Sequence, residues 1–268
     1  MHPRVAVSGL CFPTLSATEA IEAVASLGVS TTSMPAVKLR EAGPDAVVEA
    51  CRHHDVAIVA VPGSIGFDLS LGPPSAATRQ QAQGDIDLAS AVGASSVYGL
   101  TGRRAAADWS TSADAYVQAM AEIVAYAAER HVSLAIEPAS WLYADMTFVH
   151  TFHDALEVAP RADMQVCLDL FHVWTERELR EDIVKHVDRI AHVQLGDFAL
   201  GDRSLPSRAV PDDGGIPLAT VVQWLVEAGY QGPFDLELNG PRIDAIGHRE
   251  AAARAAAWLD ELLVELGA

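Results

Sequence analysis

The chain has 268 residues, half of them hydrophobic, with 36 acidic against 18 basic residues and a formal net charge of −18. That length suits one large domain or two small ones, and so negative a surface repels nucleic acid and anionic membranes at long range. Cys11, Cys51 and Cys167 are odd in number and scattered, so neither a disulfide framework nor a thiolate zinc site follows, and a reducing compartment fits.

The opening "MHPRVAVSGLCFPTLS" has a short apolar stretch interrupted by Pro13, too short for a secretory signal core or a spanning helix. A cytoplasmic protein without a membrane partner is expected. The apolar run 5–10 precedes a helix that Ser16 can cap, with Glu19 at capping-box spacing and Gly28 at its end. The pattern then repeats. Run 29–34 precedes a helix in "DAVVEACRHH", and run 56–62 precedes a Gly/Pro loop and a helix from about Ser75 to Val92. Run 94–100 precedes the long helix 112–130, run 132–138 precedes "FVHTFHDALEVA", and run 164–170 precedes "ERELREDIVKHV". The last pairs are 190–197 with a helix near 217–229, and 234–239 with the helix 248–266.

Eight strand-like runs alternating with eight helices over about 250 residues predict a (β/α)8 barrel, a TIM barrel, as one domain over residues 1–268. A doubly wound sheet normally carries a Gly-rich phosphate turn, and neither GxGxxG nor GxxxxGK[ST] occurs. No linker, low-complexity tract or charge block divides the chain.

In such barrels the active site gathers at the C-terminal strand ends. Here the fifth strand ends in Glu137 and the sixth in Asp169. The seventh carries His192 and Gln194 on one face, and the eighth Asp235 and Glu237. Each residue alone could be a helix cap or a loop contact. Carboxylates converging on one mouth repel one another and must either protonate or bind a cation. Oxygen donors at four successive strand ends point to one divalent metal, Mn²⁺ or Mg²⁺ rather than zinc. Asp169 then reads as a ligand, and His172, one turn on, points at whatever the metal holds.

"LAIEP", "CLDLFHVW", "HVQLGD", "DDGGIPL" and "FDLEL", in this order and spacing, resemble the sugar phosphate isomerase/epimerase family of xylose isomerase-like barrels. The family's metal set of Glu, Asp, His and Glu falls on Glu137, Asp169, Gln194 and Glu237, and the His of its Asp-x-x-His motif on His172. Gln194 departs from the His usual in sugar epimerases. Members resembling hydroxypyruvate isomerase and 3-dehydroshikimate dehydratase have Gln there, which widens the substrate question beyond sugars. His192 remains an alternative ligand.

The resemblance implies a small-molecule substrate and a proton relay in which Glu137 and Glu237 remove and return a proton. His172 would hydrogen-bond a substrate oxygen. A lyase on the same scaffold is the first rival. Phosphodiester hydrolysis is a second, disfavoured by the charge and the few strand-end His, and a metal-stabilised binding protein a third. Arg203 and Arg208, in the loop after the seventh strand, can hold an anionic group, and Arg203 is taken as substrate-binding. Trp141, Tyr143 and Trp174 can wall the pocket, and 64–75 can form a lid. His53 and His54 read as helix-end residues suited to the dipole. His150 and His153, spaced i and i+3, have no third metal donor nearby.

Overall fold

A computed structural model describes residues 1–106 and 108–268. The apolar runs become β1 (Val5–Val7), β2 (Thr31–Ser33), β3 (Ala57–Pro62), β4 (Ser96–Gly99), β5 (Ser133–Ile136), β6 (Gln165–Asp169) and β7 (Ile190–Leu195). A short antiparallel ribbon, β8 (Asp197–Phe198) with β9 (Arg208–Ala209), follows, and β10 (Phe234–Leu236) is the eighth barrel strand. From β3 to β7 each barrel strand pairs in parallel with its predecessor, and β10 pairs in parallel with both β7 and β1. The seam between β1 and β2 is bridged by side chains: Thr32 Oγ1 donates to Val7 O (2.7 Å) and Ser33 Oγ to Ser8 Oγ (2.9 Å). The strands are mostly buried, as a parallel sheet covered by helices requires.

The helices are α1 (Ala17–Ser26), α2 (Ala36–Ala42), α3 (Pro44–His54), α4 (Ala76–Ala91), α5 (Trp109–Ala128) and α6 (Phe152–Arg161). They continue with α7 (Leu170–Val173), α8 (Leu179–His186), α9 (Leu218–Glu227), α10 (Pro241–Ile246) and α11 (His248–Leu266). Ser16 and Glu19 form the expected capping box, and Gly28 follows α1 at φ +73°. Eleven α-helices stand among the described residues where eight were expected, for local reasons. Gly43 at φ +80° turns the chain and Pro44 starts afresh at the first helical position, which parts α2 from α3. Asp169 caps one turn of its own, α7, by accepting from Phe171 N (3.0 Å).

The main core lies between strands and helices. It includes small residues such as Ala20, Ala23, Ala252 and Ala256, which let α1 and α11 approach the sheet closely. The barrel interior holds a separate small layer of Ala60, Tyr98, Ala135 and Cys167. Among the described residues no helix is long and apolar enough to cross a membrane.

Candidate active site

Loops following several barrel strands open onto a cavity of about 780 Å³. Glu137 and Glu237 each sit one residue beyond a strand end, β5 and β10, and both line it. Because the sheet runs β10-β7-β6-β5, these two glutamates flank the ends of β6 and β7, where Asp169 and Gln194 stand side by side in register. One ligand atom each from Glu137, Asp169 and His172 lies within 4.8 Å of the others, which makes them a candidate Glu/Asp/His metal site. The α7 turn brings this about: capped by Asp169, it carries His172 back until Nε2 is 3.6 Å from Asp169 Oδ2. Tyr143 and Phe171 pack edge-on against the imidazole, at 5.1 and 5.2 Å between ring centroids.

Glu237 is not part of that trio, and a guanidinium lies between it and Asp169. Arg208 on β9 is buried, with Nη2 2.5 Å from Asp169 Oδ2 and 2.9 Å from Glu237 Oε1, and Nη1 3.2 Å from Asp169 Oδ1. Its plane lies over the Phe171 ring at 4.6 Å. Gln194 donates from Nε2 to Glu237 Oε2 and to Tyr98 Oη (3.1 Å), while its Oε1 accepts from Cys167 Sγ (3.1 Å). To ligate a cation through oxygen, the Gln194 amide must turn over.

The charges follow from this packing. Burial, with Asp169 and Glu237 adding repulsion, pushes the Glu137 carboxyl well above the usual range. Burial also raises Glu237 to about 7, against the pull of Arg208. Burial opposes ionisation of Asp169, but Arg208, His172 and the Phe171 N–H outweigh it and hold that carboxyl low. Burial pushes His172 down to about 4, so its imidazole is neutral at neutral pH. The guanidinium, though buried, is held charged by Asp169 and Glu237. A neutral imidazole with a buried, unpartnered Nδ1, beside the half-buried Glu137 carboxyl, which forms no ion pair among the described residues, fits a divalent cation.

Of the other sequence candidates, Arg203 is exposed, donates to Asp202 O (2.9 Å) and does not line the cavity. Its place is taken by Arg208, which the β8–β9 ribbon turns inward where Arg203 faces out. His192 bonds Asp235 Oδ2 (3.0 Å) and stacks on Tyr98, inside the barrel rather than at its mouth. Tyr143 lines the cavity, whereas Trp141 is exposed and Trp174 packs partly buried on the core. Ser64 and Asp68 of the 64–75 segment also line the cavity. His150 Nδ1 pairs with Ala139 O and His153 with Asp182, so the two do not share a site. His53 and His54 end α3 as expected.

Asp197, Tyr98 and Asn239 escaped the sequence reading. Asp197 clamps the loop that carries Arg208. Its Oδ1 accepts from Phe198 N (2.7 Å) and Ile216 N (2.9 Å), its Oδ2 from Asp212 N (3.1 Å) and Gly214 N (3.0 Å). A Cβ on Gly214 would fall 2.3 Å from Asp197 Oδ1, so only glycine fits there. The Gly-Asp that follows β7, ahead of "DDGGIP", was the available signal.

Fold and site together define a (β/α)8 barrel with an acidic mouth and a candidate Glu/Asp/His metal site. The family model described as "Xylose isomerase-like TIM barrel" matches residues 21–262. The chain belongs to that family. Among curated proteins none matches it. Solved structures that share its fold include the following three. A xylose isomerase domain protein from Alicyclobacillus acidocaldarius is 18% identical with TM-score 0.81, covering 99% of each chain. The IolI protein, solved with a zinc atom bound, is 16% identical with TM-score 0.82, covering 98% of this chain and 99% of that one. A D-allulose 3-epimerase from Methylomonas sp. is 15% identical with TM-score 0.80, covering 97% and 98%.

Proposed function

We propose that the chain is a metal-dependent isomerase or epimerase of a small hydroxy-carbonyl compound, a sugar, sugar acid or cyclitol, working by proton transfer through an enediolate. The observation that carries this reading is the pair of glutamates, Glu137 and Glu237, lining one cavity on either side of Asp169 and Gln194. One divalent cation held by Glu137, Asp169, Gln194 and Glu237, Mn²⁺ or Mg²⁺ from the hardness of the donors, would stabilise negative charge on the substrate's oxygens.

Glu237, with its carboxyl near 7, suits a general base at neutral pH and takes the proton from the carbon beside the carbonyl. Glu137, whose carboxyl burial raises in the ion-free site, returns a proton from the other side. Pairs of carboxyls whose surroundings push them apart in this way divide into acid and base. Return to the neighbouring carbon isomerises; return to the opposite face of the same carbon epimerises. His172, which lines the cavity, would hydrogen-bond a substrate oxygen. A protonated Glu137 can equally deliver its proton to a departing hydroxyl, so a dehydratase on the same residues is the second reading.

Turnover in D₂O tests the assignment. A proton relay deposits deuterium on the reprotonated carbon, and Glu237→Gln should cut that exchange by about 10²–10⁴-fold. Water loss with a new double bond would favour the dehydratase. Metal binding without turnover on a panel of ketoses, inososes and dehydroshikimate would leave a binding protein. Where solvent exchange is absent, substrate deuterated at the reacting carbon must pass its label on and react more slowly. If no label moves, the isomerase reading is wrong.

A further inference from the structure

The four acidic-site oxygens of Asp169 and Glu237 are all engaged. Asp169 gives both of its own to Arg208, and Glu237 gives Oε1 to Arg208 and Oε2 to the Gln194 amide. Among the described residues neither Glu137 nor His172 Nδ1 has such a hydrogen bond. The donor set is therefore half open and half closed, and the guanidinium does most of the closing. A planar fork bonded to two carboxylates in a buried setting is a strong, geometrically specific contact.

We propose that Arg208 is an internal competitor for the cation: its guanidinium bridges Asp169 and Glu237 in the metal-free protein, and a divalent ion must displace it to gain those two carboxylates. The proposal rests on reading this cluster as the cation site.

The geometry leaves the side chain somewhere to go and the backbone nowhere. Arg208 lines the large cavity, so the guanidinium can withdraw into open space. Its main chain is fixed by the ribbon register Phe198↔Arg208 and by the four amides that Asp197 gathers. Gly196 lets the stem pack close against the backbone: a Cβ there would stand 3.1 Å from Arg208 Cδ and Nη1. Phe171, under the guanidinium plane, gives the group a surface on which to slide.

Competition and support predict opposite signs for removal of the arginine. If the guanidinium merely organised the carboxylates for the ion, its loss would weaken metal binding. If it competes, its loss frees Asp169 and Glu237 and removes a positive charge from beside the ion. Mn²⁺ alone, without substrate, is titrated into the wild-type chain, Arg208→Gln and Arg208→Lys, with free Mn²⁺ read by electron paramagnetic resonance. Arg208→Gln should bind Mn²⁺ about tenfold or more tightly than wild type, in line with the coupling of close, buried charge pairs. Lysine keeps the charge but lacks the fork, and should fall between. Equal or weaker binding by Arg208→Gln, with wild type binding normally, overturns the competition and leaves the cation site standing. Absence of binding in all three chains overturns the cation-site reading and the competition with it.

Should Arg208→Gln fail to fold, as far-ultraviolet circular dichroism would show, the wild type still decides. The guanidinium N–H resonances of Arg208, assigned by their loss in Arg208→Lys or by selective labelling, should exchange slowly in the metal-free protein and faster once diamagnetic Zn²⁺ is added. Unchanged exchange at saturating Zn²⁺ refutes displacement.

Discussion

Asp197→Ala tests how the fold delivers Arg208 to the site. The carboxylate accepts four backbone N–H bonds, from Phe198, Asp212, Gly214 and Ile216, at 2.7–3.1 Å. Hydrogen bonds to a charged group contribute about 1.5–3 kcal/mol each, which sums to roughly 6–12 kcal/mol if none is replaced. Water replaces some of it, because Asp212 and Gly214 are exposed, while Ile216 is buried and Phe198 half-buried. A net loss of about 3–5 kcal/mol is expected, and at 2–4 °C per kcal/mol for a domain of this size Tm should fall by roughly 6–20 °C. Asp197→Asn keeps one of the two acceptor oxygens and should lose less. Thermal unfolding followed by circular dichroism measures both. A drop in Tm below about 2 °C for the alanine variant would mean that the loop holds its shape without the carboxylate, and the account of how Arg208 is positioned would fail.

Three further outcomes are expected. Asp169→Ala should lose most of its bound metal by elemental analysis, and full occupancy would remove Asp169 from the ligand set. Arg203→Ala should leave KM unchanged, since its side chain faces solvent outside the cavity, and a marked rise in KM would restore it as a substrate contact. In the chelated protein, His172 should confer acid sensitivity. Its unfolded value is near 6.5 and its folded value near 4, so the unfolded chain alone takes a proton between them and stability is lost as pH falls through that window. The loss amounts to about 3 kcal/mol, and denaturant titration of His172→Asn should show it missing, with an unchanged pH slope counting against a buried neutral imidazole.

The barrel was legible in the sequence because a buried parallel strand is a short apolar run and its covering helix an Ala-rich amphipathic one, eight times over. The extra helices were hidden. α7 begins at the last residue of the sixth apolar run, and the capping bond from Phe171 N to Asp169 marks its first turn. The strand-end carboxylates were legible for the same reason as the strands, since an acid closing an oily run stands out. The role of Arg208 was not. Nothing in "DRSLPSRAV" separates Arg203 from Arg208; a two-residue ribbon decides which one faces in, and its register is set by a partner on the far side of the loop. The Gln194 amide was equally opaque, because its direction depends on Cys167 and Tyr98, which come from other strands.

Charge balance ties the site's stability to its chemistry. Glu137, Asp169 and Glu237 fully ionised carry three negative charges against the single positive charge of Arg208, a net of −2 in a buried setting. So uncompensated a cluster costs several kcal/mol, and the metal-free protein avoids the cost by keeping Glu137 protonated and Glu237 near its titration point. On the proposed reading, a divalent ion would supply the missing positive charge, with the arginine retained nearby, and would draw both glutamates toward ionisation. Ion binding at neutral pH would thereby be coupled to proton release from the two glutamates of the proposed relay. The strand ends that make the barrel mouth acidic thus serve two ends at once. They create a demand for positive charge, and the way that demand is met sets which glutamate can accept a proton.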